Sequence, residues 1–478
     1  MSKSIKVPSY IPKESFDYQI SILNNEIPIK KLKIIRPCNI NDGILKVSSF
    51  YKSLSKYNKN NFEDGLSFIP ASGSATRMFN IDKKEEEILE NIKKLPFFNH
   101  FEGDYSQSKD MMNQFKDKKD LIQLNQLLSN LFKKFNKKPK ALIPFHLLDE
   151  YEVSPIEEII LYNEKISKKR NIYFSVQDEH KEEINYKINN SGILKKNNIS
   201  IDNKVFFSSQ EKSTNSICIK SNGHLLEDTN GNIYTQPSGH GALIDNINDI
   251  KENVFYIHNI DNISPKNINM RLLNHNRMCA ILKYVHENIK IILLDCIENN
   301  IKPIQENNFY NEFIKKNLPH LYIENIDTGK IENLYSLLHR PIRICGVVKD
   351  IGSKGGKPFW VDDNHNLSLQ LVEESQVSLN DPETLKIWNS SNYFNPVEMV
   401  CLNKDIYNNK FNLHKYKNEA LNMIVNKKIF DQEVKFIEKA GLWNGGMHYW
   451  ITIFVEIEEE LFTPVKNICD LFLDIHQP

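Results

Sequence analysis

Phe68-Ile69-Pro70-Ala71-Ser72-Gly73-Ser74-Ala75-Thr76-Arg77-Met78 is the stretch whose reading decides the fold. The apolar run from Leu66 to Ile69 predicts a buried strand. It leads into small residues and then Thr76-Arg77-Met78. Small side chains let backbone N–H groups approach a polyphosphate closely. Thr76 adds a hydroxyl donor, and Arg77 a planar fork suited to phosphate. Ala71, Ser72, Gly73, Ser74, Ala75 and Thr76 are therefore candidate phosphate contacts, and Arg77 a candidate catalytic cation. Taken alone, the same residues also fit an ordinary turn after a strand. The order of the later motifs favours the phosphate loop.

Working outward, 478 residues allow two to four domains, or one large α/β domain with additions. Hydrophobic residues make up 40% and charged residues 26%, the balance of a globular protein. Lys+Arg and Asp+Glu both number 61, which argues against a dedicated nucleic-acid binder. The 7 cysteines are scattered and form no C-x-x-C pair. They read as reduced, buried thiols of a cytoplasmic protein, not as a disulfide or zinc framework. The opening MSKSIKVPSYIPKESF has no apolar h-region, and no run is long enough to span a bilayer, so neither a signal peptide nor a membrane partner is expected.

Along the chain, residues 1–62 read as a helical preamble, with apolar residues near helical spacing from Leu45 to Tyr57. A core over 63–404 follows, interrupted by helical insertions at about 80–138 and 264–338, the second with helices over Met270–Glu287 and Ile301–Ile314. Residues 405–478 form a C-terminal extension closed by an amphipathic helix over Pro464–Leu473. Ser154-Pro155 ahead of Glu157 and Glu158 predicts a helix start, and Ile156–Ile166 its body. Ile172–Val176, Val205–Gln210 and Val254–Ile260 read as strands. Their alternation with helices predicts a mainly parallel sheet. Gly441–Trp450 is rich in Gly and Trp; its aromatics fit core packing or stacking on a sugar or base.

Pro139-Lys140-Ala141-Leu142-Ile143-Pro144 then follows the loop, and here the sequence resembles the sugar-1-phosphate nucleotidyltransferases. Further segments, in order, resemble the UDP-sugar pyrophosphorylases: Phe207–Gln210, Pro237-Ser238-Gly239-His240-Gly241, Asp261-Asn262, Val372-Glu373-Glu374 and Phe394-Asn395. The resemblance covers about 66–404. It implies a GT-A-like Rossmann-type fold: a mixed, mainly parallel sheet flanked by helices. It also implies roles. Lys140 matches the activating lysine, whose ammonium neutralises charge on the transferred phosphate. Gln210, Pro237, Gly239, His240 and Gly241 match nucleotide contacts. Two glycines allow close backbone approach, and the imidazole between them offers a donor. Asp261 matches the residue that holds Mg²⁺, an ion that wants carboxylate oxygen and keeps several waters. Glu373 and Asn395 match sugar contacts, and a carboxylate can accept from two vicinal hydroxyls. Lys404 lies near where a lysine meets the sugar phosphate. Ala75 and Ala242 depart from the family pattern, which has Gly and Asp there.

The expected activity is that of an enzyme joining a nucleoside triphosphate, UTP foremost, to a sugar 1-phosphate, with Mg²⁺ and release of pyrophosphate. A nucleotide-sugar sensor without catalysis, and a transferase using a nucleotide-sugar donor, remain alternatives. The loop, Lys140, Asp261 and Glu373 are expected to converge on one cleft. Which sugar, which base and which oligomeric state are not written in the sequence.

Overall fold

The computed structural model describes residues 7–50, 65–101, 121–136, 138–298, 308–321, 331–352, 355–363 and 366–478. The chain divides into two compact units, each assembled from separate segments. The first comprises Met1–Asn61, Ser209–Phe255 and Arg277–Ile457; the second comprises Phe62–Ser208, Tyr256–Asn276 and Glu458–Pro478. The strands used below are, in chain order, β1 (Gly43–Lys46), β2 (Leu66–Pro70), β3 (Asn171–Ser175), β4 (Val205–Ser208), β5 (Val254–Ile257), β6 (Ile342–Lys349), β7 (Lys357–Asp363), β8 (Asn366–Val372), β9 (Met399–Leu402) and β10 (Ile451–Glu456).

In the second unit β2 pairs in parallel with β3, and β3 in parallel with β4. β5, which ends in this unit, is the other neighbour of β2. Leu66 to Ile69 are all buried, with no alternation. That is the pattern of a parallel strand covered on both faces. Parallel neighbours need a crossover, and helices Lys181–Asn189 and Gly192–Lys196 supply it between β3 and β4. The helix Pro155–Ile166 starts as the sequence predicts, with a capping box between Ser154 and Glu157.

In the first unit β1, β10 and β6 run parallel, and β9 is antiparallel to β6. β7 and β8 form an antiparallel hairpin. The architecture is thus a mixed α/β fold with a largely parallel sheet flanked by helices, as expected.

The preamble differs from its reading. Helix Lys13–Leu23 is present, but Lys33–Pro37 and Gly43–Lys46 are strands. Leu45 and Lys46, the first two residues of the expected helix, pair with Val455 and Glu456 of β10, where tertiary pairing overrides the spacing, while Val47–Phe50 turn as a 3-10 helix. The rest of that expected helix, from residue 51, lies outside the described residues. So does the start of the one expected at Ile301; its neighbour is longer than read, Ile268–Ile297. The described parts of the first insertion are helical, over Glu85–Asn91 and Leu121–Asn136. The closing helix is another difference. Pro464 is bridged to Asn262, and only Ile468–Phe472 turns, as a 3-10 helix. Asp470 accepts from the N–H groups of Lys466 and Asn467, which fixes where the turn begins.

All seven cysteines are free and buried. Among the described residues no helix is long and apolar enough to cross a membrane.

Burial pushes His258 down to about 3, with Arg271 adding to the shift against a smaller opposing pull from the backbone at Asn259. Its folded pKa lies below the unfolded value of roughly 6.5, so its stabilising share is complete above that pH and shrinks as the pH falls. Between pH 6.5 and pH 5 this histidine alone is expected to remove about 2 kcal/mol. Urea unfolding across that range should show the slope, and His258→Phe should flatten it.

Candidate active site

The carboxyl end of β2 passes straight into the small-residue loop. Ala71 N–H donates to Ser175 O, continuing the ladder with β3. The loop then zips to the Pro139-Lys140 segment. Ala75 N–H donates to Lys138 O and Lys140 N–H to Gly73 O, each at 3.0 Å, around a bridge between Ser74 and Pro139. The N–H groups of Ser72, Gly73 and Ser74 have no partner among the described residues. A Cβ on Gly73 would meet nothing within 4 Å. The loop therefore presents free donors beside open space, as an anion cradle requires.

Ala75 opens a 3-10 turn over Ala75–Arg77, so no positive φ is needed there. Ala75 and Met78 sit in an apolar cluster with Phe79, Phe97, Phe132 and Phe135. That burial fixes the turn and sends Thr76 and Arg77 outward. Thr76 Oγ1 donates to Asn136 O, and Arg77 is exposed with no ion pair among the described residues.

Lys140 is buried, and its ammonium donates to Asp261 Oδ2 and Val465 O, both at 3.0 Å. Asp261 follows β5 by a short turn. Its second cationic partner is Lys466, whose Nζ lies 2.9 Å from Oδ2 and 3.1 Å from Oδ1. Burial raises the Asp261 carboxyl, but Lys466 and Lys140 together outweigh it and hold the group below the usual carboxylate range. The backbone holds the same arrangement: Val465 N–H donates to Asp261 O, and Thr463 N–H to Asn262 Oδ1. The end of the chain is anchored again at His476, whose ring stacks on buried His146 with Nδ1 2.8 Å from its Nε2.

Lys466 was not legible beforehand. A lysine two residues after a proline carries no signal, and the segment read as a helix start. The magnesium expected on Asp261 meets a poor fit. Both carboxylate oxygens already accept from ammonium groups. A divalent ion would have to displace a lysine.

In the first unit a second set of expected residues meets. Gln210 Nε2 donates to Thr214 Oγ1 and, at 3.4 Å, to Ser238 Oγ, beside exposed Pro237 and the Gly239-His240-Gly241 turn. Gly239 has φ +82°, a conformation that favours glycine. A Cβ on Gly241 would lie 2.1 Å from Ala440 O. The tight approach here is thus to the chain's own Lys439–Gly446 segment. His240 stacks on Trp443 at 4.4 Å, and its Nδ1 accepts from Leu442 N–H. Burial lowers the His240 pKa against an opposing pull from Glu373, so the ring is neutral near pH 7. With Nδ1 accepting, Nε2 carries the proton. Glu373 is half-buried and heads a 3-10 turn. Gln376 Oε1 accepts there from Glu373 N–H and from Asn444 Nδ2. A cavity of about 260 Å³ opens beside Gly241, bordered by Lys417 and Lys439.

Two expected sugar contacts are placed differently. Asn395 is buried, and its amide staples backbone: Nδ2 donates to Gly346 O and Oδ1 accepts from Val397 N–H. Val397 has φ +62°, so the staple holds a strained turn. Lys404 Nζ donates to Asn408 Oδ1 within its own loop. Arg343 is buried and hydrogen-bonded to Thr452 Oγ1 and Trp443 O.

Among solved structures, the chain is similar to the uridine diphosphate N-acetylglucosamine pyrophosphorylase of Trypanosoma brucei, at 13% identity and a TM-score of 0.46, covering 95% of this chain and 73% of that one. It is similar also to a UDP-glucose pyrophosphorylase mutant of Leishmania major with UDP-glucose, at 11% identity and a TM-score of 0.45, covering 97% and 77%. Likeness at this level carries no argument about chemistry. No curated protein matches the chain. One family matches nearly end to end, over residues 5–477, so the chain belongs to the family described as a domain of unknown function, DUF4301.

Proposed function

We propose that this chain is a sugar-1-phosphate nucleotidyltransferase that takes a nucleoside triphosphate, UTP foremost, and releases pyrophosphate. One observation supports this above the others. The small-residue loop, Lys140 and Asp261 lie far apart in sequence yet are joined by direct hydrogen bonds at strand carboxyl ends. Ligands of open α/β sheets sit at such ends.

The free N–H groups of Ser72, Gly73 and Ser74 hold the triphosphate, with Arg77 as an exposed cation beside it. An oxygen of the sugar 1-phosphate attacks the α-phosphorus. The bond from that phosphorus to the bridging oxygen breaks, and pyrophosphate leaves with the electron pair. The attacking phosphate is already ionised, so no general base is required. Catalysis is then mainly positioning and charge neutralisation. Lys140 and Lys466 supply the positive charge at Asp261, and the magnesium expected there does not enter these steps. Asp261 is a positioning residue that fixes both ammonium groups. In the first unit, the resemblance gives Glu373 the sugar hydroxyls and gives His240, through its Nε2–H, a hydroxyl or phosphate. Asn395 acts only through the backbone it staples.

Calorimetric titration with UTP, ATP, GTP and CTP tests the nucleotide half of this reading. UTP should bind the wild type, and Lys466→Met should weaken it about tenfold, or 1.4 kcal/mol. Equal affinity in the two proteins would contradict the assignment of Lys466.

A further inference from the structure

A cavity of about 250 Å³ lies in the first unit at the amino ends of β6 and β10, against the closed end of the β7–β8 hairpin. Gln370, which lines it, is three residues before Glu373, a separation on the order of 10 Å along a strand. None of the residues assigned above to nucleotide or sugar lines this cavity.

Three residues of its walls carry buried polar atoms without a partner among the described residues. His320, Gln370 and Trp450 are each at least nine-tenths buried. His320 Nδ1, Gln370 Oε1 and Trp450 Nε1 have no hydrogen-bond partner among the described residues. Leaving such a group unpaired in the interior is costly. Three around one cavity call for an explanation. Arg340 also lines it. Its Nε donates to Ser336 O, and its guanidinium has no ion pair among the described residues. One acid is present, Asp363, but Lys30 and His448 hold its carboxylate at 2.9 Å each. Among the described residues Arg340 is therefore left without a counter-ion. It also borders an open groove with Tyr416 and Tyr449, which gives a path inward.

We propose that this cavity is a second anion site, separate from the nucleotide site, that takes a small phosphate monoester carrying a hydroxyl group. Arg340, Trp450 Nε1–H and His320 offer at least three donors, which match the three terminal oxygens of a phosphate better than the two of a carboxylate. Gln370 Oε1 supplies the acceptor that a neighbouring hydroxyl needs. The volume suits a ligand of a few carbons.

The test is calorimetric titration of the full chain with glycerol 3-phosphate, with malate and glycerol as controls. Lys466→Met is the background, in which the nucleotide site is expected to bind about tenfold more weakly. Glycerol 3-phosphate should bind with a ratio near one to one, and malate and glycerol much more weakly. Arg340→Gln should weaken it at least tenfold and Trp450→Phe several-fold, with thermal midpoints near that of the background. Arg340→Lys keeps the charge but loses the fork. It should also bind several-fold more weakly, which keeps the test decisive if Arg340→Gln does not fold. Unchanged affinity in Arg340→Gln, no binding in the background protein at about 10 mM, or malate binding as well as glycerol 3-phosphate would overturn the assignment. These failures would leave the nucleotidyltransferase reading intact, since that is tested through UTP.

Discussion

Lys140→Met should cut pyrophosphate release by about 10²–10³-fold while leaving the fold in place, the scale expected when one charge-stabilising donor is lost. The two halves of that prediction come from one geometry. Lys140 donates to Asp261 and to Val465 O. Removing it takes the buried positive charge away from the transferred phosphate. Asp261, however, keeps Lys466 on both of its oxygens. No carboxylate is left unpaired, and a methionine of similar length fills the space. Loss of activity with a thermal midpoint shifted by only a few degrees is the expected pair of measurements. Wild-type activity in Lys140→Met would remove this lysine from the mechanism.

Asp261→Ala has the opposite profile. It leaves Lys140 buried with a single backbone carbonyl as partner and frees Lys466 to solvent, since the Lys466 side chain is 53% exposed. Breaking a buried pair from one side costs about 3–5 kcal/mol, because the remaining charge has no counterpart. Chemical denaturation should show a loss of that size. Pairing it with Lys140→Met should recover most of the loss, as the orphaned charge goes too. A stability near wild type for Asp261→Ala alone would mean that the three groups do not form the buried cluster described.

Local chemistry made part of this site legible and hid the rest. The buried run Leu66–Ile69, the small residues after it, and Lys140 behind Pro139 carry their signals within a few residues. Lys466 does not. Its contact with Asp261 spans 205 positions and depends on the bridge between Asn262 and Pro464. The glycines around His240 were legible as a place of close approach, but not what approaches. Gly241 faces the carbonyl of Ala440, 199 positions away by number, and only tertiary structure shows it. Asn395 illustrates a third limit. An asparagine at a motif position reads as a ligand contact, yet its amide bonds to Gly346 O and Val397 N–H and holds the turn. Leu45 and Lys46, at the start of the expected helix, belong to strand β1, because so short an apolar spacing does not separate helix from strand without the partner β10.

The most direct measurement is product analysis after incubating the purified chain with UTP and a panel of sugar 1-phosphates. The account predicts pyrophosphate and a UDP-sugar in equal amounts for at least one sugar, with both lost together in Lys140→Met. UTP bound but never cleaved across the panel, or cleavage that yields phosphate rather than pyrophosphate, would contradict it.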